Sequence, residues 1–278
     1  MKIADYKYNE IIDKLEINKG DKILLISDLT KFFLLFKKDG KRFDVNKFLD
    51  ILLESITDEG TLIIPTHNWE FCSSKYFNYH ETPSMTGSLG KIALNRKDFK
   101  RTKNPIYSFA VTGKDKELLY GLKHYSCFGN DSPFYYFHKD NYKYLSLFLD
   151  YKETGFTPVH YVEEKVGVSY RYFKKFSGIY VNENHLKTDV TCSLYVRKLS
   201  KVQRTGIKNE TDIKLSKINA YKKYLDNNYD FTCINLKPAL DLFIDDMKKN
   251  DENNRLIYPM KLYNLKRSKL TNFDKSII

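Results

Sequence analysis

The chain of 278 residues carries 47 Lys and Arg against 35 Asp and Glu, a formal charge of +12, with 42% hydrophobic and 15% aromatic residues. That apolar load excludes a disordered chain and suffices for one large α/β domain, or a domain with a smaller appendage. No apolar run reaches the length of a membrane span, and Met1-Lys2-Ile3-Ala4-Asp5 lacks an apolar signal core, so a soluble, cytoplasmic protein with no membrane partner is expected.

Residues 6–17 read as a short amphipathic helix, and a turn at residues 18–21 leads into Lys22–Ser27, a continuous apolar run expected as a buried parallel strand. Ser27 and Asp28 follow at its C-terminal end, where open α/β sheets place ligands; a plain strand-end cap is the other reading. Asp44 is expected to cap a helix whose Val45, Phe48, Leu49, Leu52, Leu53 and Ile56 fall at helical spacing. Thr61–Pro65 is a second buried run, with His67 and Trp69 at its mouth, Trp69 serving either as a packing lid or as a binding platform. This strand–helix–strand order predicts a largely parallel central sheet flanked by helices.

Residues 82–90 lead into a helix through Ile92, Ala93 and Leu94, whose first N–H groups could hold a phosphate or a carbonyl oxygen. Arg96, Lys97, Lys100, Arg101 and Lys103 come directly after, where their charge would meet a phosphate. Asn104–Gly113 reads as a third strand with Ser108 in an apolar setting, residues 127–133 as a loop capping a short aromatic helix, and Tyr144–Leu149 as a fourth strand. Beyond residue 172 the pattern loosens into a β-rich excursion over 178–196, a polar stretch over 200–215, a strand near 231–235 and a helix from Pro238 to Lys248. The division expected is a core over 1–172 and a mixed α/β C-terminal cover over 173–278, in one compact unit whose last twenty residues are partly mobile.

His160 and Glu163 stand three apart on what reads as a helix opened by Thr157 as N-cap and Pro158 as first residue. That spacing puts both side chains on one face, and a carboxylate beside a neutral imidazole fixes its tautomer and steadies the imidazolium that forms when it takes a proton. A solvated ion pair is the commoner meaning of the spacing alone. The cysteines at 72, 127, 192 and 233 lie far apart with no zinc spacing, so reduced thiols and no metal site are expected. The +12 charge invites nucleic acid, an anionic membrane or a phosphorylated small molecule; scattered lysines with no basic tail and no reading module disfavour nucleic acid, and also fit an AT-rich genome.

Taken in order, five segments resemble the aminoglycoside 3-N-acetyltransferase family, coenzyme-A-dependent enzymes of α/β fold: Glu59-Gly-Thr-Leu-Ile-Ile-Pro-Thr66, Thr82-Pro-Ser-Met-Thr-Gly-Ser-Leu89, Pro105-Ile-Tyr-Ser-Phe-Ala-Val-Thr-Gly113, Gly129-Asn-Asp-Ser-Pro133 and Thr157-Pro-Val-His-Tyr-Val-Glu163. The likeness spans residues 20–176. It implies that His160 is the catalytic histidine and Glu163 its acidic partner; in the transfer step backbone N–H groups or Ser108 are expected to steady the oxyanion. It also implies an acyl-CoA surface at Ser27, Met85, Thr86, Gly87, Ser88, Leu89, Ser108 and Phe109, with Arg101 placed at the CoA phosphates by its charge. Asp28, Trp69, Tyr107 and Arg171 are the residues expected to meet the amine substrate; a homodimer is left open.

Drug-modifying members commonly read His-Pro-Thr-His-Ser where this chain has Asn104-Pro105-Ile106-Tyr107-Ser108, and His-Ser-Ser-Leu where it has Ile26-Ser27-Asp28-Leu29. The chain looks more like the branch of surface-polysaccharide pathways, which implies an acyl-CoA-dependent N-acyltransferase for an amino sugar, nucleotide-linked and hence anionic. The alternatives are acetylation of aminoglycoside antibiotics and a silent protein that binds CoA or a nucleotide sugar. The expected route is direct transfer with His160 as base; a ping-pong route through Cys127 is the rival.

Overall fold

In the computed structural model, which describes residues 3–202, 204–226, 229–250 and 256–260, the apolar runs 22–27 and 61–65 form neighbouring parallel strands with Ile23 beside Leu62. Successive side chains of a strand point to opposite faces. Ile23, Leu25, Leu62 and Ile64 therefore enter one core, and Leu24 and Ile63 the other. The mobile end expected for the last twenty residues lies, from residue 261 onward, outside the described residues.

The chain runs α1 (Ile3–Lys14), β1 (Lys22–Ser27), α2 (Leu29–Lys38), α3 (Val45–Ile56), β2 (Thr61–Pro65), α4 (Phe71–Ser74), β3 (Tyr76–Asn78), α5 (Ser88–Leu94), β4 (Lys100–Arg101) and β5 (Phe109–Gly113). It continues through α6 (Lys116–Gly121), α7 (Pro133–Lys139), β6 (Lys143–Leu147), α8 (Tyr151–Thr154), α9 (Val159–Val166), β7 (Arg171–Val181) and β8 (Lys187–Arg197). The last elements are β9 (Arg204–Ile207), α10 (Thr211–Lys217), β10 (Tyr221–Asp226), β11 (Tyr229–Asn235), α11 (Leu236–Asn250) and β12 (Ile257–Met260). Among the described residues, none of the helices is long and apolar enough to cross a membrane.

A seven-stranded sheet in the order β10-β11-β6-β1-β2-β5-β4 divides the two cores. On one face, Tyr8, Phe32, Phe36, Phe43 and Phe48 of α1 to α3 and their loops pack ring against ring. On the other lie α7, α9 and α11, with Phe134, Phe137, Val162 and Phe243 buried. Asp44 caps α3 as expected, its carboxylate accepting from the N–H of Asn46 and Lys47.

The α/β class stands, with parallel pairing in the seven-stranded sheet confined to β6-β1-β2; its β5, β4, β11 and β10 join antiparallel. An apolar run reports burial on both faces and not strand direction, so periodicity could not distinguish these cases. The third strand begins at Phe109 rather than Asn104, because the Asn104 side chain accepts from the N–H of Ile106 and Tyr107 and folds that stretch into a turn. The β-rich excursion is a hairpin of β7 and β8, eleven residues each, with β3 on its outer edge. The polar stretch over 200–215 holds β9, which pairs with β12, and the start of α10.

Candidate active site

Beyond the C-terminal ends of β1 and β2 opens a cavity of about 630 Å³, the position at which an α/β sheet leaves strand-end backbone and loops exposed to a ligand. Its floor is Leu25 to Ser27 with Ile64 and Pro65; its walls include Trp69, Met85, Thr86, Leu89, Tyr107, Phe128, His160 and Arg171. Residues far along the chain close it: Leu194 to Arg197, Thr205 to Ile207, and Ile257.

His160 stands in the first turn of α9. The helix starts at Val159 with Pro158 before it, and Thr157 does not cap it, its hydroxyl donating instead to Gly155 O. One turn on, Glu163 is fully buried, with Oε2 2.6 Å from His160 Nδ1 and 2.8 Å from Arg171 Nη2. Its Oε1 accepts from the Tyr170 hydroxyl at 3.0 Å, and Arg171 Nη1 donates to Tyr195 O at 2.9 Å. Burial alone would push the Glu163 carboxyl up, but the charge of Arg171 and the hydrogen bond with His160 hold it at about 2. The carboxylate is therefore ionised and acts only as an acceptor, so Nδ1 carries the imidazole proton and Nε2 is the basic nitrogen, in a ring that lines the cavity. Burial and then the Arg171 charge bring His160 below its usual 6.5, with Glu163 opposing them. The ring is neutral at pH 7.

Of the residues expected at the acyl-CoA surface, Ser27, Met85, Thr86 and Leu89 line the cavity. The buried Oγ of Ser27 has no hydrogen-bond partner among the described residues. Gly87 (φ +93°) starts α5 with Ser88 exposed beside it, and neither reaches the cavity. A Cβ on Gly90 would lie 2.6 Å from Pro65 O, so that glycine lets α5 press against the end of β2.

Arg101, Ser108 and Phe109 need correction, none of them lining the cavity. Arg101 does not face the cavity: it is 2% exposed, stacked over Phe77 at 4.6 Å, and donates to Thr66 O, Thr82 O and Ser108 Oγ. Its neighbours are engaged too, Arg96 with Asp50 and Asp98, Lys100 with Glu117, and Lys103 with Glu183. Ser108 is fully buried behind the wall, its hydroxyl donating to Thr66 O at 2.7 Å and accepting from Arg101 Nε at 3.1 Å, which leaves no proton for an oxyanion. Phe109 is core, its ring 5.1 Å from that of His67. Arg101→Met is expected to lower the melting temperature by stranding buried acceptors that cost about 1–3 kcal/mol each. Calorimetry on the folded variant should find CoA affinity unchanged; a large selective loss of CoA binding would return Arg101 to the phosphates.

Among the residues expected to meet substrate, Trp69, Tyr107 and Arg171 line the cavity. Asp28 does not; it caps α2, with Oδ1 accepting from Thr30 N at 2.9 Å and Lys31 N at 3.3 Å. Cys127 lies outside the cavity lining, fully buried, with its thiol raised well above 9.0 by burial, so it has neither access nor thiolate for the ping-pong route. Among the described residues no cluster of three or more metal-ligating side chains gathers. Sequence reasoning passed over Tyr170 as a support of Glu163 and Phe128, whose ring meets His160 at 5.4 Å. The run Val168-Ser-Tyr-Arg171, directly after α9, carried the signal for Tyr170.

The fold resembles solved acetyltransferases at low identity. Aminoglycoside acetyltransferase AAC(3)-Xa shares 12% identity over 89% of this chain and 99% of that one, TM-score 0.68. AAC-IIIb in its binary complex with CoASH shares 12% over 88% and 96%, TM-score 0.69, and sisomicin-bound AAC-VIa 15% over 88% and 98%, TM-score 0.68. No curated protein sequence gives a significant match. The model of the aminoglycoside 3-N-acetyltransferase family matches residues 40–227, which include α9 with its His160–Glu163 pair, and the chain therefore belongs to that family of acyl-CoA-dependent N-acyltransferases.

Proposed function

We propose that this protein transfers an acetyl group from acetyl-CoA to the primary amine of an amino sugar of aminoglycoside type. One observation carries the reading: a neutral imidazole whose Nδ1–H is held by a buried, ionised carboxylate, in the wall of a cavity of about 630 Å³. His160 Nε2 takes a proton from the amine as its nitrogen bonds to the thioester carbonyl carbon; Glu163 steadies the imidazolium. When the tetrahedral adduct collapses, the carbon–sulfur bond breaks and the imidazolium returns its proton to the departing thiolate. No acyl-enzyme is needed. Residues after 172 complete the substrate side, through Tyr195, Arg197, Thr205 and Ile257.

A specific observation favours a second acceptor, an amino sugar that carries a diphosphate, as nucleotide-linked precursors of surface polysaccharides do. Among the described residues lining the cavity, Glu153 is the one carboxylate, beside Lys152, Arg171 and Arg197. A site for polycations is expected to present several carboxylates. Free-thiol release from acetyl-CoA, followed with deoxystreptamine aminoglycosides and with nucleotide-linked 3- and 4-amino-6-deoxy sugars, separates the two. Turnover on the drugs supports the first reading, turnover on the sugars alone supports the second, and silence on both contradicts both.

A further inference from the structure

Ser108 cannot supply the hydrogen bond that an oxyanion needs, which leaves backbone N–H groups and the other side chains of the cavity wall. His67, in the loop after β2, is 3% exposed yet lines the cavity. Its ring is held by Tyr107 at 4.5 Å and lies edge-on to Phe109 at 5.1 Å and to Trp69 at 6.0 Å. Within this aromatic box its Nε2 has no hydrogen-bond partner among the described residues. A buried ring nitrogen without a partner costs folding free energy, and its persistence in a cavity wall points to a ligand that completes it.

The ring is linked to the base by contact. His67 touches Tyr107, Tyr107 touches Phe128 at 4.7 Å, and Phe128 touches His160 at 5.4 Å, so the two imidazoles line one cavity and are joined through packed aromatic rings. We propose that His67 is a further catalytic residue, donating the hydrogen bond from Nε2 to the thioester carbonyl oxygen as it becomes an oxyanion. The inference rests on the acyl-transfer reading above. Burial first, and then the charge of Arg101, lower His67 to about 3, so it stays neutral at pH 7. A group held neutral is a poor base and a steady donor; neutral histidine polarises a carbonyl in this way in triosephosphate isomerase.

Losing one such donor costs ~10²–10³ in kcat. His67→Phe keeps the aromatic packing and should show that loss, with the melting temperature and the calorimetric CoA affinity near wild type. His67→Gln, which keeps an N–H, should recover at least part of it. The residual activity of His67→Phe should retain the wild-type acid limb, since that limb belongs to His160. Wild-type turnover in His67→Phe, or no recovery in His67→Gln, would overturn the role. The second readout needs no turnover: the ¹⁵N-imidazole signal of His67 in wild-type protein, on adding the ketone analogue of acetyl-CoA in which a methylene replaces the thioester sulfur. A shift of the Nε2–H resonance with this ketone but not with CoA supports the donor, and no difference overturns it. Should the wild type prove silent towards every amine, the acyl-transfer reading fails on that result, while the imidazole signal still decides whether His67 meets a carbonyl.

Discussion

Truncating Glu163 to alanine should destabilise the fold by about 3–5 kcal/mol, the scale for removing one partner of a buried ion pair. The loss is that large because Arg171 is 6% exposed and would be left with its charge in the interior, while the Tyr170 hydrogen bond to Glu163 would go. Urea unfolding of wild type and variant at pH 7 measures the difference, and a variant within about 1 kcal/mol of wild type would contradict the described burial. Replacing both members, Glu163→Ala with Arg171→Met, should regain much of the loss, because the stranded charge is then gone. The pH dependence has a defined sign. Glu163 is held at about 2, below its usual 4.5, so its contribution is fully present above pH 4.5 and is lost as pH falls towards 2. Glu163→Gln should remove that part of the acid sensitivity.

The second large effect falls on turnover. His160→Ala should lower kcat by ~10²–10⁴, the usual contribution of a positioned general base. The wild-type kcat, measured at saturating substrates, should be level above the His160 pKa, which lies below 6.5, and fall as the ring protonates under it. The same residue affects stability in the same direction: because the fold disfavours imidazolium, the stability lent by neutral His160 is whole above pH 6.5 and declines as pH drops through that value. Glu163 opposes the shift, so Glu163→Gln should move the acid limb to still lower pH.

Much of the frame was legible because local patterns and burial agree there. Lys22–Ser27 and Thr61–Pro65 appear as strands over those same residues, and Asp44 caps α3, since a strand buried on both faces needs an unbroken apolar run and an Asp before a 3.6-residue period has one common use. The His160–Glu163 pair was also legible, as helical spacing fixes which side chains meet. What failed depended on direction and depth. The basic run through Arg101 predicted a phosphate site, yet a guanidinium three residues before a turn can fold inward as readily as outward, and here three polar acceptors and the Phe77 ring receive it. Ser108 misled for the same reason: composition marks a hydroxyl in an apolar strand but not which carbonyl takes its proton.

The far wall was out of reach of sequence reasoning. Leu194, Arg197, Thr205 and Ile257 lie on strands that meet only in the folded chain, and β9 and β12 sit in polar surroundings with no period long enough to read. His67 stood in view at the mouth of β2, but a histidine beside a tryptophan reads as packing until the missing partner of Nε2 is seen.

The role of His160 as general base is tested most directly by thiol release from acetyl-CoA by wild type and His160→Ala in the presence of an accepted amine, with CoA affinity measured by calorimetry on the same preparations. The expected result is a loss of ~10²–10⁴ in kcat with CoA affinity unchanged. Turnover by His160→Ala within a small factor of wild type would contradict it, and the proton would then have to leave the amine by another route.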